Sequence, residues 1–155
     1  IGPAEVLSQT RKIKDGINFE IGESGNKINF KDIIIDCIEA YNINKPFHSK
    51  EEQLVGYVIK TNGVVIYHAG DTDSIPEMQN LTGHKQANKK LIALLPVGGK
   101  YTMNSEEAVE AAKLIKPFLA IPMHYGSVIG TKEDAEDFSK NCGEEGINVN
   151  VLNKE

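Results

Sequence analysis

The stretch Val64-Val65-Ile66-Tyr67-His68-Ala69-Gly70-Asp71-Thr72-Asp73 decides the fold. Residues 64–68 are mostly β-branched or aromatic, which predicts a buried strand. The small residues Ala69 and Gly70 then permit a tight turn, because glycine adopts backbone angles that are closed to other residues. Asp71 follows at the carboxyl end of this strand. Open α/β sheets bind their ligands at such strand ends, so Asp71 is the first candidate for a functional site.

A second apolar strand ends in the same way. Residues 118–122 lead to His124, which is followed by Tyr125 and Gly126. A carboxylate oxygen and an imidazole nitrogen at two strand ends are ligands that suit a divalent transition metal such as zinc. The alternative for Asp71 is a turn former that bonds only to nearby backbone amides. The alternative for His124 is a core histidine that donates to a carbonyl.

Length and composition predict one domain of an ordinary globular protein. The chain has 155 residues, of which 40% are hydrophobic and 25% charged. Its apolar runs are far shorter than the roughly 20 residues that a membrane span requires. A net charge of −5 without a basic cluster argues against a nucleic-acid-binding face. The two cysteines, Cys37 and Cys142, are too few for a disulfide framework, so we expect inert thiols and a cytoplasmic protein.

Patterning along the chain predicts strands first and alternating strands and helices afterwards. A short helix is expected over residues 3–12, and two capping boxes, at Asn104 and Thr131, predict two further helices. The Asn-Gly pair at 62–63 predicts a hairpin. The predicted strands are residues 17–21, 28–30, 33–40, 54–60, 64–68, 91–97, 118–122 and 147–152. This order predicts an α/β fold with mixed sheets and helices on an outer face.

The remaining histidines are secondary candidates. Residues 42–53 form a predicted loop of about twelve residues, and loops of this length are often functional. This makes His48 a candidate ligand, with Asn42 as the alternative residue that faces the site. His68 either fixes the orientation of Asp71 without binding a metal itself, or is a core histidine whose polar atoms are hydrogen-bonded within the protein. His84 follows a predicted single helical turn and lies in a polar surface loop.

Five segments of the chain together resemble a known family. They are Phe47-His48, Tyr67-His68-Ala69-Gly70-Asp71-Thr72, Leu94-Leu95-Pro96-Val97-Gly98, Tyr101-Thr102-Met103 and Ile121-Pro122-Met123-His124-Tyr125-Gly126. In this order they resemble the C-terminal part of metallo-β-lactamase-fold metal-dependent hydrolases. The similarity is to the prokaryotic group related to ascorbate-phosphate lactonases and N-acyl-phosphatidylethanolamine phospholipases, and it covers the chain from about residue 17 onward. It implies the C-terminal part of a four-layer αββα sandwich with two metal ions, usually zinc.

The resemblance also implies a role for each candidate residue. Asp71 would bridge the two metals, His124 would bind the second metal and His48 the first, which makes Asp71 and His124 the expected catalytic residues. The expected substrate-binding residues are Tyr101, Thr102 and Tyr125, and the expected supporting residues are His68 and Thr72. The implied reaction is hydrolysis of an ester, lactone, amide or phosphodiester bond in a small molecule.

One departure from the family limits what the chain is expected to do. The family's His-x-His-x-Asp-His motif is absent from a sequence whose histidines are His48, His68, His84 and His124. We therefore expect residues 1–155 to form a single incomplete domain that lacks the N-terminal part of the fold. It should be inactive alone, with partial or no metal occupancy. The alternative is a non-catalytic binding module that associates with itself, or with the missing half, through an exposed sheet face.

Overall fold

The computed structural model describes residues 1–6, 19–84 and 89–152, and its centre is a six-stranded sheet. The strands are β1 (Lys27–Phe30), β2 (Ile33–Glu39), β3 (Val55–Lys60), β4 (Val64–His68), β5 (Lys90–Pro96) and β6 (Leu119–Met123). They lie side by side in chain order. β1 to β4 pair antiparallel, and β5 and β6 continue the sheet in parallel with β4. The predicted α/β class with a mixed sheet is confirmed.

Two α-helices follow the parallel strands. α1 (Ser105–Ile115) begins at Asn104 and α2 (Lys132–Glu144) begins at Thr131, and each start is a capping box as predicted. None of the helices in residues 1–6, 19–84 and 89–152 is both long and apolar enough to cross a membrane.

The 3-10 helices differ from the sequence prediction. One of them, Pro76–His84, replaces the predicted single turn and buries Met78 and Leu81 in the core. As a result His84 is half-buried, and the prediction of a solvated surface position for it was wrong. Residues 85–88 of the predicted loop lie outside the described residues. Shorter 3-10 helices span Ala4–Val6 and Lys50–Glu52.

Two predicted strands, 147–152 and 17–21, are not formed by the residues that the structure describes. In place of the strand over 147–152, Val149 forms a single parallel bridge to Ala120. The pairing stops there because the next donor along β6 would be residue 122, which is a proline and has no N–H. Residues 19–21 of the predicted strand over 17–21 form a single bridge, from Ile21 to Gly2, while the rest of that strand and residues 7–12 of the predicted helix over 3–12 lie outside the described ranges.

Side chains along β4, β5 and β6 alternate between the two faces of the sheet. One face packs beneath the helices and forms the main core with α1 and α2; its strand residues are Val58, Val65, Tyr67, Leu91, Ala93, Leu95 and Ala120. We call the opposite surface the open face; it carries Ile35, Ile59, Ile66, Ile92, Leu94, Leu119 and Ile121. These side chains stay half-buried, so the described part of the chain covers this apolar surface incompletely. The described residues contain one sheet, not the two of a complete sandwich.

Candidate active site

Three of the predicted metal ligands meet at one edge of the sheet. Asp71 follows β4, His124 follows β6, and His48 comes from the loop after β2. His48 Nε2 lies 3.8 Å from Asp71 Oδ2, and His124 Nε2 lies 3.8 Å from Asp71 Oδ1. The side chains are 23%, 32% and 42% exposed for His48, His124 and Asp71, so the cluster opens to solvent. It is a shallow, accessible group of one carboxylate and two imidazoles.

The backbone at this cluster takes conformations that most residues avoid. Gly70 turns the chain before Asp71 with a φ of 70°. His48 and His124 have φ values of 57° and 60°, in the left-handed region. For a residue with a Cβ, such a conformation costs on the order of 1–3 kcal/mol and persists only where the surroundings impose it. Both histidines are therefore held in place by neighbouring contacts.

Gly98 provides the close contact that holds His124. A Cβ built on Gly98 would lie 2.3 Å from the His124 carbonyl oxygen, which is far inside van der Waals contact. Directly before it, Val97 N–H donates to the Met123 carbonyl at 3.1 Å and extends the β5–β6 pairing. The end of β5 therefore lies in close contact with the backbone of His124. This explains the glycine after the predicted strand 91–97.

The tautomer of His48 follows from its hydrogen bond. His48 Nδ1 lies 3.0 Å from the Tyr101 carbonyl oxygen. A carbonyl only accepts, so Nδ1 carries the proton and donates it. In the neutral ring, Nε2, the nitrogen nearest Asp71, then presents a free lone pair. Metal-binding histidines are oriented by this kind of bond from their second nitrogen.

These donor atoms could contact a cation at two positions, and each position would have only two ligands. Zinc binds imidazole nitrogen and carboxylate oxygen at about 2.0–2.2 Å, so one ion could contact both atoms of a pair that lies 3.8 Å apart. The two oxygens of Asp71 face different histidines, which is the arrangement of a bridging carboxylate. Within the described ranges, no group of three His, Cys, Asp or Glu side chains is arranged to hold an ion. The cluster supplies two ligands per position, whereas catalytic zinc ordinarily has three on one ion.

The predicted substrate-binding residues differ in access, and one of them, Tyr101, contacts His48 through its carbonyl. Tyr101 is half-buried and stacks edge-on against Phe47, with ring centroids 5.0 Å apart. Thr102 is fully buried and its hydroxyl donates to the Met103 carbonyl at 3.4 Å, so it is not offered to a ligand in this conformation. The Tyr125 hydroxyl donates to the Leu152 carbonyl at 3.4 Å.

The two predicted supporting residues contact the turn that carries Asp71. His68 Nδ1 accepts a hydrogen bond from Gly70 N–H at 3.1 Å, next to Asp71 in the chain. Thr72 is fully buried; its hydroxyl accepts from Tyr41 N–H at 3.1 Å and lies 2.9 Å from the Tyr41 carbonyl. Both side chains therefore bond to the backbone around the carboxylate.

An ion cluster that the sequence reasoning missed closes the base of the His48 loop. Lys45 pairs with buried Asp73 and lies 3.2 Å from Glu107 of α1. Asp73 Oδ2 also accepts from Ile43 N–H at 2.9 Å. Burial alone would lower the pKa of Lys45, but its hydrogen bonds to the two carboxylates raise that pKa overall. Asp73, the second aspartate of the Gly-Asp-Thr-Asp sequence, is the sequence feature that could have indicated this contact.

A second network ties the far end of the same loop to the 3-10 helix Pro76–His84. Lys50 Nζ lies 3.1 Å from both Glu39 and Glu77, and the Tyr41 hydroxyl donates to Glu77 Oε2 at 2.9 Å. Partial burial tends to raise the pKa of Glu77. Hydrogen bonds from its own backbone amide, from Lys50 and from Tyr41 outweigh that effect and lower the pKa to about 2.

This network predicts an acid-dependent loss of stability. The Glu77 pKa is lower in the folded protein than its ordinary value of 4.5, so the contribution is complete above pH 4.5 and disappears as the pH falls toward 2. We expect the urea midpoint of the Glu77→Gln variant to lie below that of the unsubstituted protein at pH 7. The two should converge as the pH falls from 4.5 to 2, and a constant difference across that window would contradict the assignment.

Comparison with known proteins supplies the family. The family model of the beta-lactamase superfamily domain matches residues 4–124. A UPF0173 metal-dependent hydrolase of Staphylothermus marinus is 40% identical over 140 residues, which are 90% of this chain and 57% of that protein. The chain thus spans little more than half the length of this relative.

Solved structures show the same fold. Igni18, a metallo hydrolase of Ignicoccus hospitalis, superposes with a TM-score of 0.74 at 28% identity, covering 97% of this chain and 63% of that one. The metallo-beta-lactamase fold protein YhfI of Bacillus subtilis superposes with a TM-score of 0.67 at 12% identity, covering 96% and 59%. The resemblance inferred from the sequence is confirmed, and the chain belongs to the beta-lactamase superfamily.

Proposed function

We propose that this chain forms part of a zinc-dependent hydrolase that cleaves an ester, lactone, amide or phosphodiester bond in a small molecule. The observation that carries the proposal is the pair of 3.8 Å separations that join the two oxygens of Asp71 to two different histidine nitrogens. Membership of the superfamily, and the description of its relatives as metal-dependent hydrolases, support the reaction class. The substrate is not specified by them, because one fold hosts many reactions.

Each residue of the cluster has a separate task in this proposal. His48 and His124 would each present Nε2 to one cation, and Asp71 would hold both through its two oxygens. When bound, a pair of zinc ions supplies Lewis-acid activation of water and of the attacked group. Tyr101 and Phe47, stacked beside the cluster, would line the entrance and orient the substrate.

The open face offers a way to complete the site. Each proposed cation position has two ligands in the described residues. The same sheet carries a row of half-buried isoleucines and leucines, and a further layer packed on them would remove their apolar surface from water. We propose that a segment packing on the open face brings the remaining ligands. In a protein of its relatives' length, the additional polypeptide would provide this layer.

The test compares the 155-residue chain with the protein extended to the length of its relatives. Both are assayed with p-nitrophenyl acetate, a homoserine lactone and bis(p-nitrophenyl) phosphate. We expect hydrolysis by the longer protein, its loss after treatment with a chelator, and its recovery with zinc. We expect no hydrolysis by the 155-residue chain alone. Activity that persists without metal would refute a metal-dependent reaction.

The open face also favours a second candidate, a non-catalytic module that associates through this surface. Exposed apolar patches of this kind mark interaction sites. Under this alternative the 155-residue chain forms dimers, which light scattering measures directly. Substituting Ile66 and Ile92 on the open face by Lys should then restore a monomer, whereas a monomeric unsubstituted chain counts against the alternative.

A further inference from the structure

Asn42 makes the hydrogen bonds that hold the backbone of His48 in its left-handed conformation. The φ of His48 is 57°. Asn42 N–H donates to the His48 carbonyl at 2.7 Å, and Asn42 Nδ2 donates to the Phe47 carbonyl at 2.8 Å. These two carbonyls belong to the peptide groups on either side of the His48 Cα. Asn42 therefore restrains both backbone angles of His48.

The same amide group reaches the atom that determines the His48 tautomer. Asn42 Nδ2 also donates to the Tyr101 carbonyl at 2.8 Å, and His48 Nδ1 donates to that same oxygen at 3.0 Å. A side-chain amide has two N–H donors, and here both are used. An aspartate at position 42 would have the same shape but would place an acceptor against two carbonyls.

Asn42 is in turn anchored to the segment that carries Asp71. The carbonyl of the preceding residue, Tyr41, accepts from Asp73 N–H at 3.0 Å and lies 2.9 Å from the Thr72 hydroxyl. Asn42 itself is only 5% exposed. Its Oδ1 has no hydrogen-bond partner within residues 1–6, 19–84 and 89–152, so the donors of the amide set its position. Asn42 thus links the histidine loop to the carboxylate turn.

We propose that Asn42 is a positioning residue for the metal site, which favours the Nδ1–H tautomer of the neutral His48 ring and directs Nε2 at Asp71. The inference rests on the proposed function, in which His48 is a ligand. Asn42 does not touch the cation position. It acts through the Phe47, His48 and Tyr101 carbonyls.

The first test reads the tautomer directly, without metal. Nitrogen-15 NMR of the imidazole in the metal-free chain, at a pH where the ring is neutral, should show Nδ1–H for His48. In the Asn42→Asp and Asn42→Ala variants we expect a shift toward Nε2–H, the tautomer that a free histidine side chain prefers. An unchanged Nδ1–H signal in folded variants would overturn the proposal. Should either variant fail to fold, Asn42→Ser, which keeps one donor, gives the same readout.

The second test measures the zinc dissociation constant by calorimetric titration of the protein extended to the length of its relatives. Asn42→Asp should weaken zinc binding about 10–100-fold, the usual effect of removing a group that orients a metal ligand. The matched control is Phe138→Leu, a core substitution in α2 outside the site, which lowers stability but should leave zinc affinity unchanged. An equal loss of affinity in the control would overturn the positioning role.

A third variant separates this inference from the proposed function. If His48→Ala leaves zinc affinity unchanged, His48 is not a ligand and the proposed function fails at that residue. If His48→Ala weakens zinc binding but Asn42→Asp does not, the positioning role fails while the proposed function stands.

Discussion

Replacing Asp71 by Asn should abolish zinc binding at both cation positions and lower kcat/KM in the protein extended to its relatives' length by about 10³-fold. The substitution removes the negative charge and one of the two acceptor oxygens at once, and both histidines face this one side chain. Asp71 is 42% exposed, so the metal-free protein should keep its stability within about 0.5 kcal/mol. Metal content after dialysis and steady-state kinetics measure the two effects.

The matched control for this substitution is Asp137→Asn. Asp137 lies on the exposed side of α2, outside the cluster, and undergoes the same chemical change. It should keep full zinc content and activity. Asp71→Asn protein that retains stoichiometric zinc would contradict the bridging role.

The second large effect is expected at Gly98. A methyl group there would sit 2.3 Å from the His124 carbonyl, and backbone atoms cannot move aside cheaply. We expect Gly98→Ala to lower the free energy of unfolding by about 3 kcal/mol, as overpacking does at its upper range. It should also weaken zinc binding, because relief of the clash displaces His124. Urea denaturation of the 155-residue chain measures the loss of stability, and a zinc titration of the protein extended to its relatives' length measures the loss of affinity.

Gly143→Ala provides the comparison. Gly143 lies near the end of α2, and a Cβ built there has no heavy atom within 4 Å. The same change should stabilise the protein by about 0.5–1 kcal/mol, because alanine is the better helix residue. Equal unfolding midpoints for the two variants would show that the strand end accommodates a side chain at residue 98.

The sequence predicted the elements whose signals are local. The Asn-Gly hairpin and the two capping boxes depend on neighbours within a few residues, and each lies where it was expected. Asp71 and His124 were expected at strand ends because each follows an apolar run, and the parallel pairing of β4, β5 and β6 brings those ends to one edge of the sheet. Such features need no knowledge of distant contacts.

The contacts that hold the site are of a different kind and were not predictable from the sequence. Asn42 and Tyr101 lie 59 positions apart, and the bond from His48 to Tyr101 depends on where two loops meet. The choice between Asn42 and His48 as the residue facing the carboxylate was open for this reason. The structure directs the His48 imidazole at Asp71 and buries Asn42 behind it. Similarly, the loss of a closing strand depended on Pro122 occupying a donor position that only the pairing register reveals.

The order of the strands has a consequence for how the site is assembled. Each strand of the sheet pairs with its immediate predecessor in the chain, and no later strand is inserted between two earlier ones. His48 and Asp71 precede the fifth strand in the chain, whereas His124 follows the sixth. A chain truncated before β6 would therefore carry the carboxylate of Asp71 with only one of the two histidines that lie beside it.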